Sequence, residues 1–278
     1  MDPSGSPGDG GLVRVRLDLA YDGTDFSGWA TQPDRRTVQD AVEAGLTRVL
    51  RFAQLVRLVV AGRTDAGVHA TGQVAHADLD IASVDPERLR RGLNGVLPPD
   101  IRIRAVTVAP QGFDARFSAL ARRYRYRLCD DVPNPLRRRD TLAWPRPLDV
   151  AAMQAAASGL LGEHDFAAYC KRREGATTIR RLLRIECRRT ADAIEVSVEA
   201  DAFCHSMVRA LVGALLAVGE GRKPTRWPAD VLAAGVRDSG VAVAPAHGLT
   251  LCEVRYPPDN ALAIRARTTR QLRTAPNP

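Results

Sequence analysis

Lysine is almost missing from this chain: Lys171 and Lys223 are the only two among 40 basic residues. The formal charge is still +8, with a pI near 9.8, so arginine carries the basicity. Arginine's planar fork suits phosphate contacts and stacking on bases. A genome that favours arginine codons would also enrich it, but the net charge survives either origin. It points to an anionic partner, nucleic acid ahead of a membrane surface. The five cysteines (Cys129, Cys170, Cys187, Cys204, Cys252) are odd in number and never form a C-x-x-C pair. That pattern excludes a zinc cluster or a secreted disulfide framework and reads as free thiols in a reducing compartment. The most apolar stretch, Leu211 to Val218, is too short to span a bilayer. Residues Met1 to Gly8 lack the basic and apolar regions of a signal peptide. A cytoplasmic protein is the expectation. Dinucleotide and phosphate-loop fingerprints are absent as well.

A chain of 278 residues can hold one large domain or two modest ones. Residues 1–11, rich in Gly, Pro, Ser and Asp, read as a disordered tail, and 261–278 as a basic flexible one. Val13, Val15, Leu17 and Leu19 alternate with Arg14, Arg16 and Asp18, the period of a half-buried strand. Thr37, with Asp40 three positions on, opens a helix, and Asp85-Pro86 opens another. Leu55 to Ala61, Gln73 to Asp80 and Ile101 to Val108 read as strands, giving β-α-β-β-α-β. The order then repeats. A strand through Tyr124, Tyr126 and Leu128 precedes a helix from Asp149 to Leu161. Strands Ile179 to Arg188 and Ile194 to Ala200 follow, then a helix from Cys204 to Val218, a short one near Pro228, and a strand from Leu249 to Tyr256. The reading is α+β: two ferredoxin-like halves, 12–110 and 111–260, with mainly antiparallel sheets.

The most informative stretch is Gly62-Arg63-Thr64-Asp65-Ala66-Gly67-Val68-His69-Ala70. It leaves a buried strand and turns at its glycines, and loops at strand ends are common places for catalytic groups. Arg63 stands two residues from Asp65, near enough to keep the carboxylate ionised. An ionised, partly desolvated carboxylate is a nucleophile, or a stabiliser of developing positive charge. By spacing alone a G-x-x-D-x-G stretch is more often an ordinary structural turn than a catalytic loop.

The same stretch resembles the signature loop of the TruA family of tRNA pseudouridine synthases. Other segments follow in the family's order: Tyr21-Asp22-Gly23 through Phe26, Gly28 and Trp29; Asn94 with Leu97-Pro98 and Asp100-Ile101; Phe113 to Phe117; Arg123-Tyr124-Arg125-Tyr126. His164-Asp165-Phe166, Phe203 with Met207-Val208-Arg209, and Ala244-Pro245 with Gly248-Leu249 complete it. Ala30 and Thr250 depart from the pattern, where glutamine and an aromatic are usual, and Thr250 is expected to alter packing around the target base.

The resemblance implies the pseudouridine synthase fold, with the active-site cleft between the halves. It also implies isomerisation of uridine within RNA without cofactor or metal. The bond from N1 to C1′ breaks, the uracil turns, and C5 bonds to C1′. Asp65 would be the nucleophile. Arg63 would orient it and help fill the space left by the extruded nucleotide. Tyr124 would stack on the uracil, and its hydroxyl is the candidate to remove the C5 proton. Arg209 would line the wall and hold Asp65. Independently of the resemblance, Arg123, Arg125 and Arg127 alternate with Tyr124, Tyr126 and Leu128, so one face of that strand serves the cleft or core while the other meets phosphate. Thr250 aside, the runs Arg137-Arg138-Arg139, Lys171-Arg172-Arg173 and Arg180-Arg181 would extend the RNA surface. The family's partner is tRNA, at uridines 38 to 40 of the anticodon stem-loop, lying across a homodimer. His69 and His76 read as polar packing groups. A non-catalytic RNA-binding protein on the same scaffold and a synthase for another RNA are the competing readings. A carboxylate-based hydrolase fails for want of a second catalytic carboxylate.

Overall fold

The computed structural model describes residues 11–79, 85–171 and 177–271. The first ten residues, Asp80, Arg172, Arg173 and Arg273 therefore lie outside the described residues. The elements of the first half are β1 (Val13–Tyr21), α1 (Val38–Leu50), β2 (Val59–Val60), β3 (His69–Leu79), α2 (Pro86–Val96) and β4 (Ile101–Val108). The second half has β5 (Ala121–Cys129), β6 (Leu142–Ala143), α3 (Val150–Ser158), β7 (Gly162–Asp165), β8 (Ile179–Arg189) and β9 (Ile194–Ala200). It ends in α4 (Met207–Gly219), α5 (Trp227–Ala234), β10 (Leu249–Arg255) and α6 (Leu262–Arg270).

The strands form one mainly antiparallel sheet in the order β4-β1-β3-β10-β5-β9-β8-β7, with β2 on β3 and β6 on β5. Within each half a first strand lies between a fourth and a third: β1 between β4 and β3, and β5 between β10 and β9. That is the ferredoxin-like arrangement expected. The halves join through a short parallel pairing of β3 with β10, Thr250 opposite His69 and Leu251 opposite Ala70. Val15, Leu17, Leu19 and Tyr21 are buried on one face of β1, and Tyr124, Tyr126 and Leu128 on the same alternation of β5.

Helix starts follow local chemistry. Thr37 accepts from the Asp40 N–H, Asp85 from Glu87 and Arg88, and Asp149 from Ala152. Among the described residues no helix is long and apolar enough to cross a membrane.

Three expectations need correcting. The strand expected over Leu55 to Ala61 is only Val59–Val60, because its donors go elsewhere. Val56 N–H donates to Thr47 Oγ1 at 3.0 Å, and Leu58 N–H to Glu43 Oε1 at 2.8 Å, both on α1. The tail expected to be flexible from 261 is helical over Leu262–Arg270, and Leu262 and Ala266 are buried. Arg270 reaches Asp114 at 3.0 Å, so some of its charge is spent within the molecule. Finally, Cys170 and Cys204 are not free thiols but bonded to each other, with Cα atoms 5.8 Å apart. Sequence spacing hid that pair, since folding alone brings the end of the 3-10 turn at Ala167–Tyr169 beside the start of α4. Cys129, Cys187 and Cys252 are free.

Glu43 is fully buried and holds Leu58 N–H, Gln39 Nε2 and Arg57 Nη1. Glu43→Ala is expected to lower stability by about 2–4 kcal/mol, since it orphans a buried backbone donor and opens a cavity. Urea unfolding checks this. A loss under ~0.5 kcal/mol would show that water replaces the carboxylate at no cost.

Candidate active site

Asp65 sits in the loop between β2 and β3, at a cleft of about 990 Å³ lined by both halves. The backbone of the N-terminal motif holds this loop. Trp29 N–H donates to Thr64 O at 3.0 Å, and Gly67 N–H to Phe26 O at 3.2 Å. Gln73 Nε2 donates to Gly62 O, and Tyr21 and Thr64 share a hydroxyl bond of 2.8 Å. Gly28 (φ +93°) is required, because a Cβ there would stand 2.8 Å from Thr64 O. The spacing of aromatics and glycines from Tyr21 to Trp29 is thus a cradle for the loop.

The Asp65 side chain is about a quarter exposed, so it can meet a ligand. Its Oδ2 lies 3.4 Å from both Arg209 Nη1 and Ser206 Oγ, and its Oδ1 lies 3.9 Å from His205 Nδ1. Arg209 is itself fixed, donating from Nε to Ala244 O at 2.7 Å. The Ala244-Pro245 segment thus anchors the guanidinium that stands beside Asp65. Ser206 holds a left-handed backbone (φ 62°, ψ 8°) at the start of α4, which costs ~1–2 kcal/mol for a residue with a side chain. That strain turns its hydroxyl toward the carboxylate. The cation beside Asp65 is therefore Arg209, not Arg63. Arg63 is exposed on the cleft rim and forms no ion pair among the described residues.

Tyr124 lies in the same cleft, its ring edge-on to Phe203 with centroids 5.2 Å apart. Burial, helped by the charge of Asp65 and opposed by Arg122, pushes its phenol well above the usual value of about 10. A neutral phenol at pH 7 suits a stacking surface better than a resting base.

Arg123 and Arg125 do not reach this site. Strand alternation places them on the opposite face of β5, where Arg123 pairs with Glu253 at 3.0 Å and Arg125 with Glu195 at 3.7 Å. Thr250 is the cross-strand partner of Arg125 and shares that face, so its packing against the target base is corrected too; Leu249 lines the cleft instead. Ala30 also lines the cleft. Of the basic runs, Lys171 and Arg180 line the cleft, while Arg137 and Arg139 border a separate depression with Arg125 and Thr250. His69 and His76 are packing groups: His69 Nδ1 accepts from Gly23 N–H and His76 Nδ1 from Ala115 N–H, each at 3.0 Å.

Arg122 was missed by the sequence reading. It shares the face of Tyr124, is buried, and lines the cleft. The alternation that assigns Tyr124 to the inside, carried back two residues, would have found it.

A model of the tRNA pseudouridine synthase family matches residues 19–118 and 156–257. The tRNA pseudouridine synthase A of Frankia casuarinae is 66% identical over 271 residues, spanning 96% of this chain and 98% of that protein. Its counterpart in Streptomyces griseus is 57% identical, over 96% of each chain. That of Mycobacterium leprae is 51% identical, over 95% of this chain and 96% of its own. The resemblance read from the motifs is borne out along nearly the whole chain.

Proposed function

The chain belongs to the tRNA pseudouridine synthase family and forms pseudouridine in tRNA, and from that premise we propose that Asp65 is its nucleophile and the anticodon stem-loop its target. The observation that supports this reading is the carboxylate itself. It is partly exposed in a cleft between the halves, with Arg209 and Ser206 at one oxygen and Tyr124 lining the same cleft. Arg209 and Ser206 hold the carboxylate in place at the cleft, where it acts as the nucleophile.

The target nucleotide leaves its stack to reach Asp65, because its reacting atoms are inaccessible within a helix. Tyr124 then offers its ring face to the uracil, with Phe203 edge-on behind it. Arg63, free on the rim, fills the space the nucleotide vacates. The glycosidic bond from N1 to C1′ breaks, the base turns, and C5 bonds to C1′. The proton on C5 is lost and N1 gains one, so the overall change is an isomerisation that consumes no co-reactant. Lys171 and Arg180 at the cleft edge meet the phosphates, and such contacts weaken as salt rises. The family's habit supports a cytoplasmic homodimer with one tRNA across both subunits.

The test is pseudouridine formation by the purified protein on an unmodified tRNA transcript without added cofactor, read by chemical labelling and primer extension. Product at uridines 38 to 40, lost when those positions are cytidine, is the expected result. Product at other positions only would overturn the stem-loop assignment and favour a different target.

A further inference from the structure

Arg122 binds carbonyls from three separate segments. Nη1 donates to Asp201 O, and Nη2 to both Ala61 O and Arg116 O, all at 2.7 Å. Ala61 is the root of the Asp65 loop, Arg116 lies in the linker between the halves, and Asp201 directly follows β9, two residues before Phe203. No carboxylate lies within ion-pair distance of this guanidinium among the described residues, although the side chain is almost fully buried. Burying a cation without a paired anion is costly, and here it lowers the affinity of the group for its proton. A neutral amide would avoid that cost. Only arginine, however, carries five donors in a rigid fork wide enough to span three carbonyls.

We infer that Arg122 is a positioning residue for the reaction: its fork sets the gap between the Asp65 loop and the Phe203 to Ser206 wall that holds the carboxylate. Resting on the reading of Asp65 as the reacting group, the role follows from where the three carbonyls lie. Ala61 O fixes the near end of the loop in one half, and Asp201 O fixes the approach to Ser206 in the other. Tyr124 follows two residues along the same strand face, so one side chain references the loop, the wall and the stacking ring to each other. A shift of about 1 Å at such a site lowers a rate by ~10²-fold without touching the substrate.

The test uses full-length wild type, Arg122→Lys and Arg122→Gln. Each is measured for single-turnover pseudouridine formation at saturating tRNA, for tRNA Kd and for thermal unfolding. Wild type is assayed first, and no product from it would fail the assigned chemistry rather than the role of Arg122. Arg122→Lys keeps the charge but cannot span three carbonyls. It is expected to be folded at the assay temperature, to bind tRNA within about threefold of wild type, and to react ~10–100-fold more slowly. Arg122→Gln is expected to be at least as slow. A rate for Arg122→Lys within about threefold of wild type would overturn the inference, however far its melting temperature falls. So would a loss of tRNA affinity as large as the loss of rate, or a lysine variant that does not fold, since either assigns the arginine to another task.

Discussion

Asp65→Asn is expected to form no detectable pseudouridine, a loss of ~10⁴-fold or more, while binding tRNA within about threefold of wild type. The substitution keeps volume and shape, and the loop is held by backbone contacts that the side chain does not make. Trp29 N–H still meets Thr64 O, Gly67 N–H meets Phe26 O, and Val68 N–H meets Asp65 O. What changes is charge and lone pairs. The amide presents either a donor or a neutral acceptor to Arg209 and Ser206, and neither attacks carbon at neutral pH. Stability should move by less than ~1 kcal/mol, because the contacts at 3.4 Å to Arg209 and Ser206 are long and partly exposed. Single-turnover assay on a tRNA transcript, beside a binding isotherm, measures both quantities. Retention of more than a tenth of the wild-type rate would remove Asp65 from the nucleophile's role.

That prediction draws on a loop that was legible as a motif but not as a geometry. Strand and helix periodicity located β1, β4, β9 and the two capped helices of the first half, because their apolar faces obey simple periods. β2 was misjudged since its apolar run is real, yet Glu43 and Thr47 on α1 take its backbone donors. β7 is short and polar, with no buried residue, so no period marks it. The pairing of β3 with β10 joins His69 to Thr250, and nothing local in either segment announces a partner so far along the chain.

The site shows the same division. Asp65 and Tyr124 lie at one cleft because they belong to strand ends and faces that the sheet brings together. The neighbour of Asp65 in sequence, Arg63, points to the rim, whereas its partner in space, Arg209, comes from a helix in the other half. Sequence proximity favoured the wrong cation, and only the motif shared with known relatives had pointed to the right one. Alternation had put Arg123 and Arg125 on the face away from Tyr124, but the carboxylates they pair with there, Glu253 and Glu195, lie on other strands and leave no local signal.

Gly23→Ala tests whether the N-terminal motif serves the catalytic loop. A Cβ at Gly23 would stand 2.0 Å from Val68 O and 2.5 Å from Val68 C, both backbone atoms of the loop's far end. No rotamer relieves such a contact, so either the turn or the loop must shift. The turn cannot move freely. Gly23 N–H is bonded to His69 Nδ1, and Gly23 O accepts from Phe26 N–H. His69 Nε2 in turn meets the carbonyls of Arg139 and His247, so a displaced turn disturbs two segments of the other half. The expected cost is about 3–5 kcal/mol of stability, at the high end for a single methyl because the clash is with main chain. In whatever fraction remains folded, the rate should fall by ~10²-fold as Asp65 is displaced. Gly62→Ala is the matched control. It lies on the same loop, and a Cβ there meets nothing within 4 Å. Its stability should stay within ~1 kcal/mol of wild type, or rise slightly through the reduced freedom of the unfolded chain. Thermal and urea unfolding of the two variants, followed by single-turnover rates, separate the cases. Equal stability for both alanines would mean that the turn and the loop are not packed against each other, and the cradle would then be no part of what positions Asp65.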